Sequence, residues 1–427
     1  MRALAFALLL ALPACAHAQA ADGPASAPLT AEWRAVDAAT GQIRDIEGLE
    51  QLAQDFPDSG NVRLRLLQPY LEAGETEKLL DTLRWLKERG YVFGEVPQQQ
   101  IPKLIGEDRA AAAQALLIPQ AEVIAGSEVV GVISADAGLI ESVIRFPDEL
   151  AIQVHPRPKL LATSVTVKAV AAWYPSGTNF YFDRSGLDNV SGMVWDPLRK
   201  SLWVASGNID GSEKGELDKY DVSGLVSLFR SEDPREVISA PQGANPSDIT
   251  VDANSTLYAS DPLAGGVFFA TKDDHELRAL ISPGTFRSPQ GLAVGDDNTK
   301  LYVSDYRYGI AIVDLATRKV SRLASDIPVI LDGVDGMWRH GDELIVVQNG
   351  TSPMRIAAFK LSEDGMRVVG HRVLEQANPE WTEPLNGSIH EGALYYVGNG
   401  QWDRYVQGQS AQDKPPLPTQ IRRLSLD

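Results

Sequence analysis

Residues 289–305 read PQGLAVGDDNTKLYVSD. A Pro, a polar residue and a Gly open an apolar run, an Asp/Asn-rich turn follows, and a second apolar run ends in Ser-Asp. That alternation around turn residues predicts a β-hairpin. The pattern recurs as SGMVWDPLRKSLWVAS from Ser191, SDITVDANSTLYASD from Ser247 and VDGMWRHGDELIVVQN from Val334, with weaker copies PDELAIQVHPRPKLLATS from Pro147 and LNGSIHEGALYYVGN from Leu385. Aligned on these starts, the polar position falls at Asp148, Ser191, Asp248, Gln290, Asp335 and Asn386, in steps of 43, 57, 42, 45 and 51 residues. This is the period of a four-stranded propeller blade. The fold class is therefore mainly β, a six-bladed β-propeller around one axial channel.

Further apolar runs supply third and fourth strands: GELDKYDV then LVSLFR, GGVFFATK then ELRALIS, GIAIVDL then KVSRLA. The last copy has only IRRLSLD before the chain ends, so it lacks a fourth strand. LIESVI, Leu139 to Ile144, directly precedes the first copy and is expected to close the last blade, which leaves no open sheet edge.

Before the repeats the character changes. Residues 1–18 read as a signal peptide, with Arg2, an apolar run from Ala3 to Leu12 and Ala16-His17-Ala18 as the cleavage site. Cys15 lies in a lipoprotein-like box, the alternative to simple cleavage, and as the only cysteine it excludes an internal disulfide or a Cys-based zinc site. A periplasmic or secreted location is expected, and no run is long enough to span a bilayer. Residues 19–30 are an Ala/Pro/Ser-rich linker. Residues 31–126 form a helical, tetratricopeptide-like region, with Leu66, Tyr70, Leu79, Leu83 and Leu86 at helical spacing, and 127–427 the propeller. One visible repeat copy fits a cap on the propeller as well as a protein-binding surface. With 39 Lys and Arg against 57 Asp and Glu, a net charge of -18 disfavours nucleic acid as a partner.

The stretches PDELA, PQGLAV, DGVDGMW and SGMVWD resemble the senescence marker protein and gluconolactonase family of six-bladed propellers, whose members include divalent-metal lactonases. In that family a Glu, an Asn and an Asp at three blade starts hold a cation, typically calcium. The resemblance places Asp148, Gln290 and Asp335 in those roles, two of them substituted but each keeping an oxygen ligand, and Ser247-Asp248 where the family has an Asn-Asp pair.

The chemistry also has a basis outside that likeness. Polar residues that begin innermost strands of separate blades converge on the axis. Two carboxylates with amide and hydroxyl oxygens, and neither Cys nor His, suit calcium or magnesium. A solvent-lined polar channel is the alternative. A cation there would favour hydrolysis of a lactone or ester, with Asp335 or Asp248 as base. No G-x-S-x-G, S-x-x-K or HExxH competes. Ser191, Ser247, Asn349 and Asn386, with Gln348, are expected to face a small lactone, ester or sugar-like ligand. The long loop from Asn399 to Gln420 brings Trp402 and Tyr405 as a lid. The expected function is a metal-dependent lactone or ester hydrolase; the alternative is a non-catalytic ligand- or protein-binding propeller with a helical interaction region.

Overall fold

Each repeated hairpin becomes the inner half of an antiparallel sheet. In blade 4, Pro289–Val294, Lys300–Asp305, Gly309–Asp314 and Val320–Arg322 lie side by side in chain order. The computed structural model describes residues 31–146, 157–181, 186–211, 221–229 and 236–427. Within them blades 1 to 3 have the same plan, blade 5 adds the short strand Ala324–Ser325 outside Arg367–Gln376, and blade 6 departs from chain order at its outer edge; the innermost strands are Ile140–Arg145, Val190–Asp196, Ile249–Val251, Met337–His340 and Gly387–His390. The fold is a six-bladed β-propeller preceded by a few helices.

The sixth blade is closed from the N-terminal side, but by a different strand from the one expected. Glu128–Ile133 pairs with Thr419–Ser425, setting Val129 opposite Arg422 and Ile133 opposite Thr419. LIESVI supplies the innermost strand of blade 1 instead, pairing Val143 with Ala162. Burial explains the exchange. Ile140, Ser142, Val143 and Ile144 are all buried, as an inner strand must be, whereas Glu128–Ile133 exposes Val129 and Val132 and buries Gly131 and Ile133. A second correction concerns LVSLFR, read as a fourth strand: Gly224–Phe229 is the third strand of blade 2, and Val237–Ser239 lies outside it.

Among the described residues five α-helices precede the ring: α1 (Ile46–Asp55), α2 (Gly60–Ala73), α3 (Thr76–Glu88), α4 (Glu95–Leu104) and α5 (Glu107–Leu116). Asp45 caps α1 by accepting from the Gly48 N–H, and Ser59 caps α2 by accepting from that of Val62. Gly74, at φ 70°, ends α2 in the left-handed conformation and turns the chain into α3. The residues read as helically periodic, Leu66, Tyr70, Leu79, Leu83 and Leu86, are buried, and they share one apolar core with Tyr258, Phe286, Leu292 and Tyr308 of blades 3 and 4. Phe56 joins the two parts, its ring centroid 4.9 Å from that of Trp33 and 4.9 Å from that of Tyr308. No described helix is long and apolar enough to cross a membrane.

A polar lock accompanies this core. Asp332, in the connection between blades 4 and 5, accepts from the Ser59 hydroxyl and from the N–H groups of Gly60 (3.2 Å) and Asn61 (2.8 Å), so its carboxylate sits at the N-terminus of α2. Beside it, Asp58 lies among Arg322, Arg89, Arg63 and Arg367. Burial raises the pKa of both carboxyls to about 6, against the Arg charges in the case of Asp58. Between the ordinary value near 3.8 and about 6, the folded chain binds protons that the unfolded chain does not. Stability contributed by these two groups therefore rises as pH falls through 6 and is lost again above it. The melting temperature is expected to be several degrees higher at pH 5 than at pH 7.5, with a shallower slope in Asp332→Asn; an unchanged slope in the variant would deny Asp332 this part.

Candidate functional site

The hydrogen-bond register of the blades sorts the polar ring into two levels. The N–H of Asp335 donates to Val347 O, that of Ser247 to Ser260 O, and that of Leu385 to Val397 O, at equivalent places in blades 5, 3 and 6. By the pairings of Val143, Met193 and Leu292 with their second strands, Glu141, Ser191 and Gln290 hold the same place in blades 1, 2 and 4. Five of these six residues, Glu141, Ser247, Gln290, Asp335 and Leu385, line one cavity of about 300 Å³ at the channel mouth. Ser191 is turned away, buried and donating through its hydroxyl to Ser247 O at 2.7 Å.

The next residue along is Gly192, Gly291 or Gly336 in three blades; at the first two, neighbouring innermost strands nearly touch, a Cβ on Gly291 coming within 2.7 Å of Asp335 O, whereas one on Gly336 would meet the Trp338 ring. Asp248 and Asn386 occupy that second level. They line a separate cavity of about 420 Å³ farther along the channel, where Asn386 Nδ2 donates to Asp248 Oδ1 at 2.9 Å. The alignment from sequence places both at the first level, a slip of one residue in blades 3 and 6. Asp148 lies outside the described residues, and the blade 1 member of the ring is Glu141.

The mouth is walled by loops that join second to third strands, contributing Ile209, Leu263, Tyr306, Asn349 and Trp402. Asn349 Nδ2 donates to Asp335 Oδ2 at 2.9 Å, and its Oδ1 accepts from the Tyr306 hydroxyl at 2.8 Å. Trp402 Nε1 donates to Glu141 Oε2 at 2.7 Å, and Gln290 Nε2 to Ser288 Oγ at 3.2 Å. Gln348 stays out of the cavity, enclosed by Ile330 O, Asp332 O and the Arg355 guanidinium. Glu383, Tyr306 and Arg307 line the mouth without a sequence signal, since each arrives on a connecting loop. Glu141 had a faint one, a polar residue followed by a small one in I-E-S, matching S-G, Q-G and D-G elsewhere.

Electrostatically the mouth is under tension. Burial raises Asp335 to about 7, and the Glu383 and Asp248 charges add to it. Burial also pushes Glu141 well up, aided by Asp335, while the Trp402 hydrogen bond opposes the shift. Glu383 is raised as well, by burial and by Asp403. The second-level Asp248 is pushed to about 7 by burial, against its bond from Asn386. Among the described residues no cation offsets the charge on Asp335. A proton or a cation would relieve this crowding. Among the described residues no three His, Cys, Asp or Glu side chains stand close enough to hold a metal ion, so a cation at the mouth would depend on the Gln290 amide oxygen and water as well.

No family model matches the chain, and no curated protein matches it. Among solved structures, a gluconolactonase from Xanthomonas campestris is 14% identical with a TM-score of 0.42, covering 70% of this chain and 99% of that one. A luciferin-regenerating enzyme is 15% identical (TM-score 0.42, 70% and 94% covered), and a streptogramin B lyase 12% (0.42, 70% and 97%). These values carry no argument about activity, and the fold rests on the strand pairing itself.

Proposed function

We propose that the channel mouth hydrolyses a small lactone or ester. The observation that carries this reading is the pair of half-buried carboxylates, Glu141 and Asp335, on one cavity, Glu141 pushed well up and Asp335 raised to about 7, with no cationic group among the described residues offsetting Asp335. A base poised near neutral pH suits proton transfer in water. Asp335 takes a proton from a water molecule, and the water oxygen bonds to the substrate carbonyl carbon. The acyl C–O bond then breaks, and the departing alkoxide takes up a proton to give the hydroxy acid. Asn349, tied to both Asp335 and Tyr306, holds the carboxylate in one orientation. The apolar wall of Ile209, Leu263 and Leu385 receives the uncharged part of the ligand, and Trp402 contributes an aromatic face.

A divalent cation, calcium or magnesium, fits the donor types of Glu141, Gln290 and Asp335, and when bound would supply polarisation of the substrate carbonyl. Asp335 would then be ligand and base together. Export to the periplasm or beyond, and a partner held by the tetratricopeptide-like hairpin α2–α3, belong to this proposal as well. A panel of sugar and homoserine lactones, with calcium, magnesium, manganese or zinc and with chelator, tests it. Turnover with calcium or magnesium that chelator removes is the expected result. No turnover across the panel would leave a non-catalytic binding propeller.

A further inference from the structure

The geometry points to a second ligand site, and we propose that the groove between the helical layer and blade 4 binds a small, multiply charged anion through carboxylate or phosphate groups. The proposal does not rest on the hydrolase reading. The groove encloses about 760 Å³. Arg44 and Arg65 reach it from the helical side, Arg287 and Arg307 from the propeller side.

Four arginines meeting on one cavity is unexpected in a chain with 57 acidic and 39 basic residues. None of the four is ion-paired among the described residues. Arg65 donates to Ile43 O at 2.8 Å, Thr40 O at 3.2 Å and the Tyr308 hydroxyl at 3.3 Å; Arg44 donates to Gly41 O at 2.7 Å and Ile43 O at 2.8 Å. All those acceptors are neutral, so the positive charge is positioned but not offset. Glu72 is the one carboxylate in the wall, and it accepts from Gln68 Nε2 at 2.7 Å on its own helix.

The propeller half of the groove is held from below. The buried carboxylate of Asp305 accepts from the backbone N–H of Arg287 at 2.6 Å and of Arg307 at 2.9 Å, tying together the two loops that carry those side chains. The guanidinium of Arg307 lies 5.4 Å from the centroid of the Tyr306 ring, and no hydrogen bond to a protein acceptor involves the Arg287 or Arg307 side chain among the described residues. Two such forks on fixed loops, facing Arg65 on α2 and Arg44 in the connection before α1, match the planar oxygens of carboxylate or phosphate. Gln42, Gln68 and Asn61 add neutral donors for the rest of the ligand, and the volume is that of a small-molecule site. Arg307 also lines the channel mouth, so a ligand in the groove lies within reach of it.

Isothermal titration of the full chain with tricarballylate and with pyrophosphate, at matched ionic strength in metal-free buffer, tests the assignment. One-to-one binding of at least one probe is expected, weakened about 10-fold by Arg287→Gln or Arg307→Gln and about 100-fold by both together. Arg278→Gln, which breaks a surface pair with Asp274 in blade 3, should leave affinity unchanged. Both variants remove exposed side chains without structural bonds, so fold is retained and circular dichroism confirms it. A preference for one probe assigns carboxylate or phosphate chemistry. No heat with either probe at millimolar concentration, or undiminished binding by the double variant, would overturn the proposal.

Discussion

Asp335→Asn is expected to lower hydrolysis by about 100-fold to 10,000-fold, the range for loss of a general base, and to raise the melting temperature of the metal-free protein. The two effects have one origin. Burial raises Asp335 to about 7, so keeping it ionised at neutral pH costs folding free energy. For a carboxyl raised in the folded state, stability is fully present below the unfolded value and is lost as pH climbs through the folded one. Asn never ionises and nearly matches Asp in shape, and its Oδ1 can still accept from Asn349 Nδ2. The gain at pH 7.5 is on the order of 1–4 kcal/mol. Melting curves and lactone turnover on the same preparations separate the outcomes. Turnover that survives removes Asp335 from the chemistry, and a lower melting temperature in metal-free buffer would show that the wild-type carboxylate is not under tension.

Ile133→Asp is expected to open the ring, while Val132→Asp, one residue away, is expected to do almost nothing. Both residues lie in the strand Glu128–Ile133 that closes blade 6. Successive side chains in a strand face opposite sides. Ile133 is fully buried among Leu160, Val397 and Ile421, whereas Val132 is 46% exposed. An unpaired carboxylate at position 133 costs several kcal/mol, enough to detach the strand and leave the edge of Thr419–Ser425 unpaired. Expected readouts are a melting temperature lower by more than about 5 °C, or aggregation, for Ile133→Asp, and a change within about 1 °C for Val132→Asp. Equal behaviour of the two would mean that this strand is not the closure.

What was legible in the sequence was local. Blade period comes from hairpins whose turn chemistry is written within a few residues, so Gln290 and Asp335 could be placed from the Gly that follows each. Each Gly is forced by a close contact, of Gly291 with Asp335 O and of Gly336 with the Trp338 ring. Where the contact tolerates another residue, the marker disappears. Ser142 hides Glu141, and Asp248 at the second level of blade 3 mimics a ring residue. The sixth copy misled differently, because Leu385 is apolar at the ring and the neighbouring Asn386 drew the alignment one step too far. Glu383, Tyr306 and the arginine groove depend on loops and helices brought together by packing, which no periodicity encodes.

The closing strand also orders events in time. Glu128 and Arg423 are 295 residues apart in sequence yet face each other in one sheet. During synthesis the earlier partner is made long before the later one, and the helices appear before blades 3 and 4, whose side chains complete their core. Until the final strand is made, Ile133 has no Ile421 to pack against, and the ring is an open horseshoe with an unsatisfied edge. Such distant pairing brings a large loop-closure entropy and a slow last step. For this chain, the ring cannot be finished before residues 419–425 have been made.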